Sequence, residues 1–157
     1  MQWPACAMSA PRSVTCYVAT PAPRPVHDRF STVRRRLEAL EQRGTLDSVE
    51  CRHWPVRDSP ERTALLESLE DWCRRTGRRF DLERRPIGSS ESYVRLPAMG
   101  LVCRQGDTVL RAAPCRHTSS ADTVATVLGN LETDGWPVAP VTPGEDYTPG
   151  GTLKEFP

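Results

Sequence analysis

The sequence predicts an α/β fold in which helices flank a central mixed sheet, with the element order β-α-β-α-(β)-β-β-α. Three observations predict it. Short apolar runs alternate with helix-like stretches in the first half of the chain, the two longer predicted helices end at glycines, and a hairpin pattern precedes a closing helix. At 157 residues, one domain is the natural expectation.

The first half of the chain predicts a strand, a helix and a second strand. Residues 14–20, VTCYVAT, are apolar and β-branched, which is typical of a buried strand. Apolar residues then recur at steps of four and three, which predicts a helix with one buried side: Val26, Phe30, Val33, Leu37 and Leu40. Gly44 is placed to end that helix in a left-handed conformation, and residues 49–54, VECRHW, predict the second strand.

Capping residues mark the second predicted helix. Ser59 is a suitable N-cap, Pro60 follows at the first helical position, and Gly77 ends the helix. Its predicted buried stripe consists of Leu65, Leu69, Trp72 and Cys73. Residues 80–85 predict a further short strand.

The remaining elements are a hairpin and a last helix. Residues 92–114 predict two strands joined by a turn at residues 105–107. Ser119 and Asp122 have the spacing of a capping box, which predicts that the last helix begins beside them. The inward stripe of this helix is Val124, Val127, Leu128 and Leu131.

Both ends of the chain differ in composition from this central region. Residues 1–12 show no periodicity, and residues 137–157 combine proline, glycine and acidic residues with few apolar groups. Such segments bury too little apolar surface to offset their ordering entropy. We therefore predict one domain over residues 13–136 between a disordered N-terminus and a disordered acidic tail.

Composition narrows the classes of function. The formal net charge is +1, and no apolar run approaches the length of a membrane span or a signal peptide. The cysteines are too few for a disulfide scaffold at this length. We expect a cytoplasmic protein with reduced thiols and without a membrane partner.

Together, the element order and the segment 100–114, GLVCRQGDTVLRAAP, resemble the thioredoxin and glutaredoxin fold over residues 14–132. The resemblance implies a cis Leu96–Pro97 bond facing the loop after the first strand. In thioredoxin-like oxidoreductases that loop carries Cys-x-x-Cys, whereas here it reads TPAPRPVHD, residues 20–28, without cysteine. The resemblance therefore implies the fold without dithiol chemistry.

Four longer segments also resemble a group of uncharacterised haloarchaeal proteins labelled as helix-turn-helix proteins. These segments span residues 14–20, 26–55, 66–85 and 96–115. This resemblance implies an archaeal source and a DNA-binding regulator, although a strand pattern separates the first two predicted helices where that motif needs a short turn.

One candidate ligand site lies at the start of the first predicted helix. The free amides and the dipole of a helix N-terminus favour an anion. Arg24, His27 and Arg29 surround this terminus, and Pro97 is expected to face it.

A second candidate site is a set of arginines that could contact DNA phosphates: Arg34, Arg35, Arg74, Arg75, Arg78 and Arg79. We expect the first two helices to cover opposite faces of the sheet, which would divide this set into two patches. The Cys-x-His pairs at residues 51–53 and 115–117 would lie about 14 Å apart across three strand spacings, so no metal site is predicted. No cofactor is predicted either.

Three hypotheses for function follow. The first is a non-catalytic binding or regulatory module with an unknown ligand, and we favour the absence of enzymatic activity. The second is a DNA-binding transcription regulator, so DNA and another protein both stay open as partners. The third is a single-cysteine thiol enzyme or redox sensor that uses Cys103 or Cys115.

Overall fold

The computed structural model describes residues 10–88, 91–118 and 120–137, and it confirms an α/β fold with a central mixed sheet of four strands flanked by three helices. The helices are α1 (Arg24–Gln42), α2 (Pro60–Thr76) and α3 (Val124–Asp134). The strands are β1 (Arg12–Val18), β2 (Ser48–His53), β3 (Arg79–Phe80), β4 (Glu83–Ile87), β5 (Glu91–Arg95), β6 (Met99–Gln105), β7 (Thr108–Ala113), β8 (Cys115–His117) and β9 (Ser120–Asp122).

The central sheet has the strand order β2-β1-β6-β7. β1 and β2 are parallel and are connected through α1, whereas β6 runs antiparallel to both β1 and β7. Two smaller sheets, β3-β8-β9 and β4-β5, complete the described structure.

Two apolar clusters lie on opposite faces of the central sheet, because successive side chains of a strand alternate in direction. The first cluster joins Val14 and Cys16 of β1 to the apolar sides of α1 and α3. The second cluster joins Tyr17 and Val102 to α2. The helices α1 and α2 therefore cover opposite faces, as the element order predicts.

Local capping explains where the longer helices begin and end. The Ser59 hydroxyl accepts a hydrogen bond from the Arg62 amide at 3.1 Å, and Gly77 takes the left-handed conformation with φ of 74°. Gly44, with φ of 83°, follows α1 in the same way. The predicted caps of α2 and the predicted end of α1 are confirmed.

The first strand begins earlier than predicted. Arg12 belongs to β1, where its backbone amide donates to the Asp47 carboxylate at 2.8 Å and its guanidinium donates to the same group at 3.1 Å. These interactions cross 35 positions of sequence, which local patterns do not report. Most of the predicted disordered ends, residues 1–9 and 138–157, lies outside the described residues.

The predicted capping box before the last helix is wrong in its acidic member. Thr123 caps α3 by accepting from the Thr126 amide at 3.1 Å. Asp122 instead ends β9 and binds two arginines, as described below. Ser119 lies outside the described residues. The single strand predicted over residues 80–85 is two strands, β3 and β4, which pair with different partners.

The predicted cis bond at Leu96–Pro97 is also wrong. Within the described residues the cis bonds are Thr20–Pro21 and Ala113–Pro114. Pro97 nevertheless lies close to the end of β1, because the Ala19 amide donates to the carbonyl of Ala98 at 2.8 Å. Among the described residues, no helix combines the length and hydropathy that a bilayer crossing would need.

Candidate nucleic-acid interface

The outward side of α1 is a basic surface. Val26, Val33, Leu37 and Leu40 bury the opposite side of the helix against the sheet and α3. The side chains that remain exposed in its first two-thirds include Arg24, His27, Ser31, Arg34 and Arg35. This surface follows from the apolar spacing, which fixes one side inward and leaves the arginines outward.

Charge is distributed unevenly along α1. From Arg24 to Leu37 the acidic side chain is Asp28 alone, whereas Glu38 and Glu41 lie in the last turns. Within the described residues, neither Arg34 nor Arg35 forms a salt bridge. Their guanidinium groups are therefore available to an anionic partner.

The N-terminus of α1 adds to this positive potential. Pro23 occupies the N-cap position without a side-chain hydrogen bond, and the first turn contains no acidic residue. The first amides of a helix lack intrahelical acceptors, and the helix dipole is positive at this end. No side chain of the helix offsets that potential in its first turn.

The remaining predicted phosphate-binding arginines lie at the end of α2 and on β3. Asp71 pairs with Arg75 at 2.9 Å and with Arg74 at 3.5 Å, and the hydrogen bond from Arg75 lowers the pKa of the Asp71 carboxyl. Arg78 donates to Asp122 at 2.8 Å, while Arg79 is exposed on β3. Internal acids therefore neutralise most of this group, which lies apart from Arg34 and Arg35 because α1 and α2 cover opposite faces.

The predicted ligand-binding residues divide into two places. Arg29 and Pro97 line one cleft of about 540 Å³ between α1, α3 and residues 97–99. Arg24 and His27 instead point outward on α1, away from this cleft. The four predicted residues therefore do not form one compact anion site at the N-terminus of α1.

The cleft contains a further arginine that the sequence analysis did not single out. Arg36 lines it two helical turns after Arg29, on the same side of α1, and its guanidinium forms a bidentate pair with Glu132 of α3. The hydrogen bond from Arg36 lowers the pKa of the Glu132 carboxyl. The seven-residue spacing from Arg29 to Arg36, which is two helical turns, could have indicated their shared side.

Burial disfavours thiolate formation at the two cysteines proposed as reactive groups. Burial raises the pKa of the Cys103 thiol to about 12. The pKa of Cys115 is also raised, because burial outweighs the hydrogen bond from Arg78. Since the thiolate is the reactive species, neither environment favours nucleophilic chemistry.

The two Cys-x-His pairs lie in different sheets. Cys51 and His53 belong to β2 of the central sheet, and Cys115 and His117 form β8 of the three-stranded sheet. Across residues 10–88, 91–118 and 120–137, no group of three or more His, Cys, Asp or Glu side chains is placed to hold a metal ion.

Comparison with known families matches residues 7–135 to a family model described as a helix-turn-helix domain. Comparison with curated proteins gives no match, and comparison with solved structures gives none either. In the described part of the chain, no two helices are joined by a short turn, because β2 separates α1 from α2 and a series of strands separates α2 from α3.

Proposed function

Because the chain belongs to the helix-turn-helix domain family, we propose that it is a DNA-binding transcription regulator whose DNA-contacting surface is the outward side of α1. The family match over residues 7–135 is the observation that carries this proposal. The proposed location is accordingly the cytoplasm of a cell without a nucleus, where the DNA lies in the same compartment.

The dimensions and side chains of α1 suit a duplex. Its 19 residues extend about 28 Å, and the major groove of B-DNA admits an α-helix. Arginines bind phosphates and guanine edges, and serine hydroxyls bind either phosphates or bases. Arg24, Arg34 and Arg35 would supply phosphate contacts, and Ser31 lies between them on the exposed side.

In this fold the central sheet would support the DNA-contacting helix α1, which is the role that the first helix has in a helix-turn-helix. In a helix-turn-helix the second helix enters the groove and the first supports it across a short turn. Here the first cluster fixes α1 on β1, β2 and α3, so a rigid scaffold supports it. The salt dependence of binding would still follow the number of phosphates neutralised.

Replacing the α1 arginines should weaken duplex binding and its salt dependence. We expect Arg24→Gln, Arg34→Gln and Arg35→Gln together to reduce the slope of log affinity against log salt by about 0.9 for each phosphate that the protein no longer neutralises. The measurement is fluorescence anisotropy with a labelled duplex of random sequence across a salt series. Wild-type protein with no salt-dependent binding would refute the regulator proposal.

A matched control makes the same change in charge at two members of the α2-end arginine group and at the neighbouring Arg116 of β8. Arg74, Arg79 and Arg116 are exposed, and Arg79 and Arg116 are paired positions of β3 and β8. Replacing these three with glutamine should leave the slope unchanged. If this control lowers the slope and the α1 variant does not, the interface belongs to the α2 end and not to α1.

The cleft favours a second candidate function, a non-catalytic ligand-binding module on a thioredoxin-like scaffold. The strand order β2-β1-β6-β7 and the resemblance described above support that scaffold, and the cleft brings Arg29 and Pro97 together. Titration of ¹⁵N-labelled protein with small carboxylate and phosphate compounds should shift the amides of Thr32, Ala98 and Ala125. Shifts absent from these amides for every compound would argue against this candidate.

A further inference from the structure

We propose that the chain forms a two-fold dimer by pairing β2 antiparallel with β2 of a second copy, with the axis passing through Cys51. The pairing would join the two central sheets into one continuous sheet. It concerns the protein alone and does not depend on DNA binding.

In the part of the chain that the structure describes, the outer edge of β2 has unpaired backbone groups. β2 is the terminal strand of the central sheet, and the Trp54 amide that follows it donates to the Val18 carbonyl at 3.1 Å. Because backbone groups alternate in direction along a strand, those of Glu50 and Arg52 point to β1. Those that point outward belong to Val49, Cys51 and His53. No backbone hydrogen bond from elsewhere in the described chain reaches them, so they form a template for another strand.

The opposite edge of the sheet is protected. On β7 the Leu110 carbonyl accepts from the Trp72 indole at 3.1 Å, and the Val109 carbonyl accepts from the Arg75 guanidinium at 3.1 Å. The pairing of β6 with β7 also shifts register between Cys103 and Arg104. Irregularity and covering side chains are ways in which proteins block edge-to-edge pairing.

β2 has none of these devices. Its register with β1 is continuous from Ser13↔Ser48 to Val18↔His53, without a shift. Its sequence, SVECRH, contains neither proline nor lysine. The two edges of one sheet therefore differ, and the regular edge is the one suited to pairing.

Charge complementarity selects the second copy as the partner and fixes the register. With the axis at Cys51, the outward groups of Val49 meet those of His53 in the second copy and form the hydrogen-bonded pairs. Glu50 then lies directly opposite Arg52 of the second copy, with Cα atoms about 4.5 Å apart as in a non-hydrogen-bonded pair. Two-fold symmetry repeats this ion pair, and opposite charges directly across a sheet are favourable.

Neighbouring registers place like charges together. An axis at Glu50 would oppose the two Glu50 side chains, and an axis at Arg52 would oppose the two Arg52 side chains. Like charges directly opposite each other destabilise a strand pair. The Cys51 axis avoids both arrangements.

The side chains that would form these pairs are accessible. Val49 and Cys51 pack against the first cluster, whereas Arg52 lies on the α2 side in a recess with Tyr17 and Leu65. Glu50 is exposed, and Arg52 is 3.5 Å from Glu61 in an exposed pair of the kind that contributes little. Arg52 can therefore exchange Glu61 for Glu50 of the second copy. Both α1 helices would lie on the face of the joined sheet opposite to these ion pairs, and therefore on the same side of the dimer.

A charge exchange tests the pairing. Sedimentation equilibrium over a concentration series should show a monomer–dimer equilibrium for the wild-type protein. Glu50→Arg and Arg52→Glu should each raise the dimer dissociation constant roughly tenfold or more, because each replaces two attractive pairs with two repulsive ones. The double variant Glu50→Arg/Arg52→Glu should restore the wild-type constant.

Two further measurements make the outcome specific. Glu67→Arg, which makes the same charge change at an exposed position of α2, should leave the dissociation constant unchanged. In hydrogen exchange by NMR, the amides of Val49, Cys51 and His53 should be protected in the wild-type dimer and exchange quickly in Glu50→Arg. A wild-type protein that stays monomeric, or a double variant that fails to recover, would overturn the proposal.

Discussion

Replacing Gly100 with alanine should lower the free energy of unfolding by about 1–3 kcal/mol, the usual cost of overpacking a core. A Cβ atom at this position would lie 2.6 Å from both Cζ2 and Cη2 of the Trp54 ring. Real Cβ atoms do not approach other carbons so closely, so either the ring or strand β6 must move. Urea unfolding followed by circular dichroism measures the change.

Trp54 has little freedom to make room. Its ring stacks on Tyr17 with centroids 4.4 Å apart and makes a T-shaped contact with Phe80, with centroids 6.3 Å apart. The indole Nε1 donates to the Pro97 carbonyl at 2.8 Å, so a shift of the ring would also break this hydrogen bond. Tyr17 is directly opposite Gly100 in the β1–β6 register, which places the ring over the position that has no side chain.

Gly129 provides the matched control. It lies within α3, where an added Cβ would meet no atom within 4 Å. Gly129→Ala should raise the free energy of unfolding by about 0.5–1 kcal/mol, because alanine is a better helix former. If Gly100→Ala instead changes the free energy of unfolding as little as Gly129→Ala does, the Trp54 ring moves at little cost and strand β6 tolerates a side chain at residue 100.

Local chemistry made much of the fold predictable. The capping roles of Ser59, Pro60 and Gly77 involve only residues a few positions away in the chain, so these roles in α2 follow from the sequence. The apolar spacing of α1 likewise determines its buried side. Asp122 shows the limit, since its spacing from Ser119 suggests a cap, but its carboxylate binds Arg78, 44 positions away. Partners at such separation depend on the assembled fold.

The candidate sites were predictable to a similar degree. The placement of α1 and α2 on opposite faces separates Arg34 and Arg35 from the α2 arginines, and this follows from the element order alone. The spacings of three and four residues from Asp71 to Arg74 and Arg75 could have indicated that it neutralises them, but the sequence could not indicate that Asp122, 44 positions away, neutralises Arg78. It also could not place Arg29 beside Pro97 without the position of α3, which closes the cleft.

Replacing Asp122 with asparagine should lower the free energy of unfolding at pH 7 by about 1.5–3 kcal/mol, the range for hydrogen bonds to charged groups. The Asp122 carboxylate accepts from Arg78 at 2.8 Å and from Arg111 at 3.0 Å, and its side chain is 16% exposed. Within the described structure, the Arg111 Nε is already buried without a hydrogen-bond partner. Losing the carboxylate would leave two partly buried guanidinium groups without their shared counter-charge.

The effect of this substitution should depend on pH. Burial favours the protonated acid, but hydrogen bonds and charge from Arg111 and Arg78 outweigh it and lower the pKa of Asp122 in the folded state. Because the unfolded state then binds protons at a higher pH than the folded state, the stabilisation is complete above the unfolded pKa of about 3.9 and disappears as pH falls through the folded value. Between pH 7 and about pH 4 the difference in free energy of unfolding between wild type and Asp122→Asn should therefore stay constant, and from about pH 4 to pH 3 urea unfolding should show it shrinking. Asp71→Asn is the comparison, since Asp71 also has a lowered pKa but is 54% exposed, and screening by water should make its effect much smaller. A difference for Asp122→Asn that stays constant down to pH 3, or one no larger than that of Asp71→Asn, would mean that the two arginines do not depend on this carboxylate.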